Sequence, residues 1–391
     1  MAKRTFLPLA ALMVCALAST SLRGGPAEKH LARIKAVGAE GAGNPDAAKA
    51  WKELVRLGPA ALPEILAGMD GADVTVANYL RAAVDAIAER AGREGQPLPA
   101  RELEAFVADK RHASPARRLA YEWLARVDKT APARLLPGMI QDPSNELRRD
   151  AVAVVLAEAK GLLAKGEKEA ATAAYRKALS GACDEDQVDE AVKNLKELGV
   201  AIDVAAHFGF VRKWKLAAPF DNTEETGFKA VFPPEKGVNP AAVYKGKGDA
   251  EVRWVEHVTA DPYGIVDLNK ALGKKKAATA YAFAVIDVPA ARSVQVRAGS
   301  INALKIFVNG KEVFAREEYH HGMRMDQYAV PVTLKAGRNE LLVKICQNDQ
   351  QEDFAQVWQF QLRLCDEAGA AVAWKPFEDK QGKRTEKGVS P

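Results

Sequence analysis

Apolar residues recur at helical spacing in the first half of this chain and alternate with polar ones in the second. That switch constrains the fold more than any other feature. Trp51, Leu54, Val55 and Leu57 follow the helical spacing, as do Leu80, Val84 and Ile87. Residues 46–205 are rich in Ala, Leu, Glu, Arg and Lys, which favour helix, with breaks at Gly58-Pro59, Asp70-Gly71, Ser114-Pro115 and Asp142-Pro143-Ser144. From Val211 the chain gathers β-branched and aromatic residues. Strands are predicted over 251–258, 281–288, 293–300, 303–314, 328–334, 339–347 and 357–366. Asn309-Gly310 divides one of these runs and predicts a type I′ hairpin, because both central positions of that turn need positive φ. Ala336-Gly337-Arg338-Asn339 marks another turn. At 391 residues the chain is too long for one ordinary core, so two domains are expected.

The helical half repeats. Arg81-x-Ala83-Val84-x-x-Ile87 is echoed by Arg117-x-Leu119-Ala120-x-x-Trp123 and by Arg149-x-Ala151-Val152-x-x-Val155. Ile65-Leu66-x-Gly68-Met69 is echoed by Leu135-Leu136-x-Gly138-Met139. Helix pairs of this kind cannot bury an apolar face alone, and stacking them makes one continuous core. The units over 46–160 resemble HEAT repeats, which implies an α-solenoid. Residues 160–199 read as one more helix pair that caps it. The recurrent arginines have two readings: a partner-binding concave face, or intra-repeat hydrogen bonds and solvated helix faces.

The first residues set an expectation about compartment. Lys3 and Arg4 precede an apolar run from Phe6 to Ala18, and Ala16-Leu17-Ala18 has the small-x-small pattern of a cleavage site. A secretory signal over 1–18 is the reading, and a retained anchor is the alternative. Cleavage takes the net charge from +5 to +3, since Lys3 and Arg4 leave and no acid does. Neither value comes with a basic block, which argues against nucleic acid as a partner. Cys183, Cys346 and Cys365 remain. Three cysteines are not a disulfide framework, although an oxidising compartment permits a Cys346–Cys365 bridge.

Many short strands with few helices imply an antiparallel β-sandwich or jelly roll. The runs ALKIFVNGKEVF, VPVTLKAGRNELLVKI and WQFQLRL resemble the second half of galactose-binding-like jelly-roll domains, and KWKLAAPFDN (213–222) with FPPE (232–235) resembles their first strand and loop. The resemblance spans about 210–367. It implies a module of exported bacterial proteins, some of which bind sugars at loops or on a strand face. The joining of HEAT-like repeats to such a domain, with YHHGMRMDQY and CQNDQQEDFAQVWQFQLRLCD, resembles a narrower exported family. The expected layout is therefore a signal over 1–18, a flexible lead-in over 19–45, an α-solenoid over 46–205, a β-sandwich over 206–372 and a disordered tail over 373–391.

YHHGMRMDQY (319–328) concentrates the unusual chemistry. A zinc site needs three or four convergent ligands. Adjacent residues on a strand point to opposite faces, so His320 and His321 cannot share one ion from a regular strand, and Glu317, Glu318 and Asp326 are the only other ligands nearby. No HExxH, CxxC or GxSxG spacing occurs, and no pair of carboxylates stands out. The expectation is a protein without catalytic residues, metal or cofactor. Two readings of the segment stay open. In one it is an ordinary connection after the hairpin, bent at Gly322, plugged by Met323 and Met325, with Arg324 pairing with Asp326 or another nearby acid. In the other His320, His321, Arg324, Asp326 and Gln327 join Asn348, Asp349 and Gln350 in a polar ligand-binding loop, with Trp358 or Trp254 as a stacking face. The functional expectation is a non-catalytic extracytoplasmic binding or scaffold protein. Its solenoid would engage a protein and its sandwich a carbohydrate or protein, with no nucleic acid and no membrane span after cleavage. An accessory subunit of an envelope enzyme complex and a hydrolase with an unrecognised site are the alternatives.

Overall fold

Helix signals and strand alternation each produce the expected element type in a computed structural model that describes residues 25–377. The predicted signal at 1–18 and most of the predicted tail lie outside the described residues. Contacts divide the chain into two compact units that meet at Ala131/Pro132, rather than at the expected 205/206.

The first unit is helical. Its helices are Glu28–Lys35, Asn44–Arg56, Leu62–Ala67, Val74–Glu94, Ala100–Ala108 and Ser114–Val127. The lead-in expected to be flexible thus holds a helix, which buries His30 and Ile34. Asp73 caps Val74–Glu94 by accepting the Val76 amide at 2.9 Å, and Gly95 ends it at φ 68°. The arginines are ties. Arg117 is buried and donates Nε to the Val107 carbonyl at 2.9 Å. Arg81 reaches Glu122 at 3.5 Å on the next long helix. In the other unit, Arg149 pairs with Asp184 at 3.0 Å and Asp186 at 2.6 Å. Arg117 is spent inside the fold, while Arg81 and Arg149 make their pairs on partly exposed helix faces.

The second unit joins helices to sheets. Asn145–Ala164, Lys168–Gly181, Glu185–Glu197 and Val204–Phe208 bury Leu156, Tyr175, Leu195 and Phe208 in one cluster. Tyr263 and Met325, from beyond 205, pack on the same cluster, which is why no boundary falls there. The strands are β1 (Lys213–Asp221), β2 (Val243–Lys245), β3 (Glu251–Arg253), β4 (Val255–Val258), β5 (Val266–Asp267), β6 (Ala278–Val288), β7 (Arg292–Ser300), β8 (Ala303–Val308), β9 (Lys311–Arg316), β10 (Tyr328–Leu334), β11 (Gly337–Gln347), β12 (Gln359–Cys365) and β13 (Lys375–Pro376). The last lies in the predicted tail, yet it pairs with Ile286 and Asp287 of β6.

Two antiparallel sheets face each other. The larger runs β4-β1-β6-β11-β8-β9, with β13 beside β6; the smaller runs β10-β7-β12-β5; and β2 and β3 form a separate pair. Strand alternation sorts the residues. Ala280, Ala282, Ile286, Leu341, Val343 and Ile345 of the larger sheet meet Val294, Val296, Phe360, Leu362 and Leu364 of the smaller in one core. Asn309 and Gly310 have φ of 52° and 79°, as a type I′ turn requires.

Both outer faces are covered. Tyr281 and Phe283 meet Phe232, Tyr244 and Trp254 on the larger sheet. There the fully buried Lys344 donates to the Phe228 carbonyl (3.2 Å), the Ala230 carbonyl (2.6 Å) and Glu235 (2.9 Å). Arg297 and Arg363 lie on the outer face of the smaller sheet. Cys346 (β11) and Cys365 (β12) belong to opposite sheets, and Cys183, Cys346 and Cys365 are all free, so the permitted bridge does not form.

Candidate functional site

Segment 317–327 connects β9 at the edge of the larger sheet to β10 at the edge of the smaller. It first crosses the end where β1, β6 and β11 meet, then lies on the outer face of the smaller sheet. This path divides the residues singled out from sequence.

His320 belongs to the first part. Its Nε2 lies 2.5 Å from Asn348 Oδ1, just beyond β11. The Asn348 amide nitrogen donates to Glu225 and to Gln350, each at 3.1 Å. Tyr319 and Phe354 flank the imidazole, with ring centroids 6.2 and 6.0 Å away. Asn222 donates to the Tyr319 hydroxyl (3.3 Å) and to the Gln347 carbonyl (3.0 Å). Burial pushes the Tyr319 phenol well above its ordinary range. The backbone here is unusual, since Glu224, Glu225 and His320 have φ of 52°, 60° and 57°. Non-glycine residues in that region carry strain that the surroundings must hold.

A buried polar layer holds it. Asn302 donates to Gln347 Oε1 and to the Val357 carbonyl, both at 3.2 Å. Gln347 donates to the Ala355 carbonyl at 3.1 Å and accepts the Asn348 amide at 3.1 Å. The 348–357 loop is therefore fixed from beneath by side chains, while Phe354 stays 63% exposed on its surface. Phe354 takes the aromatic position expected of Trp358 or Trp254. Trp358 is fully buried in the core, and Trp254 packs on the outer face of the larger sheet and donates to the Tyr244 hydroxyl at 3.2 Å.

The second part of the segment is structural. Gln327 donates to His321 Nδ1 at 2.8 Å and accepts the Ser300 amide at 3.1 Å, and the Tyr328 hydroxyl lies 3.3 Å from His321 Nε2. His321 and Gln327 are thus satisfied within the fold. Asp326 does not pair with Arg324. Its carboxylate takes Arg363 at 2.6 and 2.5 Å and Arg297 at 2.7 Å. Burial alone would raise the Asp326 carboxyl, but the hydrogen bonds and charge of the two guanidiniums outweigh it and hold the group below its ordinary value. Met325 plugs the helical cluster, and Arg324 and Asp349 are exposed. The segment lies flat because Gly299 has no side chain: a Cβ there would sit 2.5 Å from the Arg324 carbonyl oxygen.

Of the eight expected site residues, His320, Asn348 and Gln350 come together. Glu225, Tyr319, Asn222 and Phe354 complete the cluster. Tyr319 opens the segment singled out from sequence, and Phe354 had a signal as an aromatic among acids and glutamines between two strands; Glu225 and Asn222 had none. Among the described residues no group of three or more His, Cys, Asp or Glu could hold a metal ion. A cavity of about 270 Å³ elsewhere is lined by Cys183, His207, Phe208 and Gly369. Burial raises the Cys183 thiol and lowers the His207 imidazole, and His207 Nε2 lies 2.9 Å from the Ala182 carbonyl. An activated thiol needs the opposite shift. No helix of the described residues is long and apolar enough to cross a membrane.

No protein-family model matches the chain, and no curated protein matches it. Similar solved structures include an anti-sigma factor domain-containing protein (TM-score 0.24, 10% identity, 42% of this chain and 49% of that one). Others are a beta-glucuronidase from an uncultured Clostridium sp. (0.24, 14%, 40% and 29%) and a GH31 alpha-xylosidase from Xanthomonas citri (0.19, 14%, 29% and 15%). The chain spans about half or less of the length of each. Likenesses at these scores carry no argument about what this chain does.

Proposed function

We propose that this chain is an exported, non-catalytic binding or scaffold protein. Its first helices stack as a HEAT-like α-solenoid that engages a protein partner. Its two facing sheets form a galactose-binding-like jelly roll that takes a polyhydroxylated ligand, a carbohydrate, at the end carrying His320. One observation carries the ligand reading: His320, Asn348, Glu225 and Gln350 form a hydrogen-bonded cluster, with His320 and Glu225 on left-handed backbone, beside an exposed aromatic ring. A connection that only joined β9 to β10 would need neither the strained backbone at His320 nor the buried polar layer beneath it, and the turn after β1 is strained alongside it at Glu224 and Glu225; strain of this kind costs about 1–3 kcal/mol per residue. An apolar ring beside hydrogen-bonding groups suits a sugar, whose faces are apolar and whose rim is polar.

The test is a glycan array with the full chain, followed by calorimetry on any hit. Phe354→Ala and His320→Ala should each weaken binding at least several-fold while leaving the unfolding midpoint of Phe354→Ala unchanged. Absence of binding to every glycan, or binding that both variants keep in full, contradicts the reading.

A further inference from the structure

We infer that His320 Nδ1 is a fixed hydrogen-bond acceptor, and that this end of the sheets selects ligands offering a neutral donor, a hydroxyl, over anionic ones. The inference rests on the binding reading above and specifies its chemistry.

The polarity starts from two groups that have only one role each. The Glu225 carboxylate can only accept, and it faces the Asn348 amide nitrogen at 3.1 Å. The Gln350 backbone N–H can only donate, and it faces Asn348 Oδ1 at 3.3 Å. Turning the Asn348 amide over would set oxygen against carboxylate and NH₂ against N–H, so the amide has one orientation. Its oxygen then meets His320 Nε2 at 2.5 Å, and Nε2 must carry the hydrogen. In a neutral imidazole the other nitrogen, Nδ1, holds the lone pair. That nitrogen is buried and has no hydrogen-bond partner.

A buried acceptor without a donor costs free energy that a ligand hydroxyl recovers. Phe354 stands edge-on to the imidazole at 76° and is 63% exposed, on the short turn Asp353–Gln356, so a ligand whose hydroxyl reaches Nδ1 brings its apolar face to this ring. The other polar groups at this end reinforce the preference. Glu225 and Asp349 are exposed carboxylates next to Asn348. The Lys276 ammonium donates to the Ala355 carbonyl at 2.7 Å and sits in the field of Glu352 and Asp349. A carboxylate or sulfate ligand would meet acceptors and like charge.

The experiment is ¹⁵N NMR of the histidine rings in the full chain, titrated with neutral, uronate-bearing and sulfated oligosaccharides. The Nε2–H tautomer of His320 should be present before ligand, and a neutral oligosaccharide should shift Nδ1. Glu225→Gln, which removes one of the two groups that orient the Asn348 amide, should raise the share of the Nδ1–H tautomer and weaken the neutral ligand roughly 3–10-fold, the worth of about one hydrogen bond. An Nδ1–H tautomer in the free protein overturns the inference. So does a glycan that binds without moving Nδ1, or a uronate or sulfated ligand that binds as tightly as its neutral counterpart; in both cases the binding reading survives. Failure of all three ligand classes overturns both.

Discussion

Arg363 grips Asp326 at two points, Nε to Oδ1 at 2.6 Å and Nη2 to Oδ2 at 2.5 Å, on the outer face of the smaller sheet. Its remaining donor, Nη1, holds the Phe208 carbonyl at 3.1 Å and the Gly369 carbonyl at 2.8 Å. One fully buried guanidinium thus ties the 317–327 connection, the end of Val204–Phe208 and the turn after β12 to a single strand. It belongs to the architecture on the outer face of the smaller sheet, not to the His320 cluster.

Asp326→Ala should destabilise the second unit by about 3–5 kcal/mol, because it leaves the Arg363 charge buried without its counterion. Replacing both residues, Asp326→Ala with Arg363→Met, should cost less than Asp326→Ala alone, since the fully buried Arg363 charge leaves with its counterion and only Arg297 loses its carboxylate; Arg363→Met alone completes the cycle. Chemical denaturation of the three variants measures this. A double variant as unstable as the sum of the singles contradicts the ion-pair account.

Asp326 also gives stability a sign with pH. Its folded-state carboxyl lies below the ordinary value, so its contribution is fully present above the unfolded-state pKa and fades as pH falls through the folded one. The denaturation midpoint should therefore drop on acidification below the ordinary carboxylate range. Asp326→Asn should start lower and lose less over the same interval. Equal slopes for the two proteins would remove Asp326 as the source.

Local pattern was enough for most strands and not for the site; the run 251–258 divides into β3 and β4, which belong to different sheets. β10 covers 328–334 as expected, because alternation and the flanking turn both act within a few residues. Helix Glu28–Lys35 escaped notice, since glycines around 38–43 suggested a loop and only the burial of His30 and Ile34 stabilises it. His320 and Asn348 stood out by composition. Glu225, 123 residues before Asn348, did not. Asp326 was misread for the same reason. Arg324 is its near neighbour in sequence, but Arg297 and Arg363, 29 and 37 residues away, are its partners in space. Strand alternation puts those two arginines on one outer face, and no window of sequence shows which loop covers that face.

Lys344 makes a parallel case on the larger sheet. Its ammonium has three acceptors, one of them Glu235, and the Tyr281 hydroxyl also donates to that carboxylate. Lys344→Met should destabilise by about 3–5 kcal/mol through the uncompensated Glu235, which is also buried. Adding Glu235→Gln should restore part of the loss. Hydrogen exchange should report local opening of 228–236 in Lys344→Met before the rest of the sheet. Uniform loosening across β6 and β11 would show that Lys344 anchors more than that segment.

The cysteines supply the last prediction. Burial pushes the Cys346 and Cys365 thiols up to about 11, so both are neutral near pH 8 and closed to solvent. Alkylation followed by peptide mass spectrometry should find both unmodified in the native protein and modified after denaturation. Because their folded values exceed the unfolded thiol range, the stability they contribute is complete below that range and is lost as pH rises from it towards 11. Replacing both thiols with alanine should flatten the alkaline fall in the denaturation midpoint, though it lowers the midpoint itself through lost packing. Rapid native alkylation at pH 8 would show that the segments covering the outer faces of the two sheets open more readily than their packing implies.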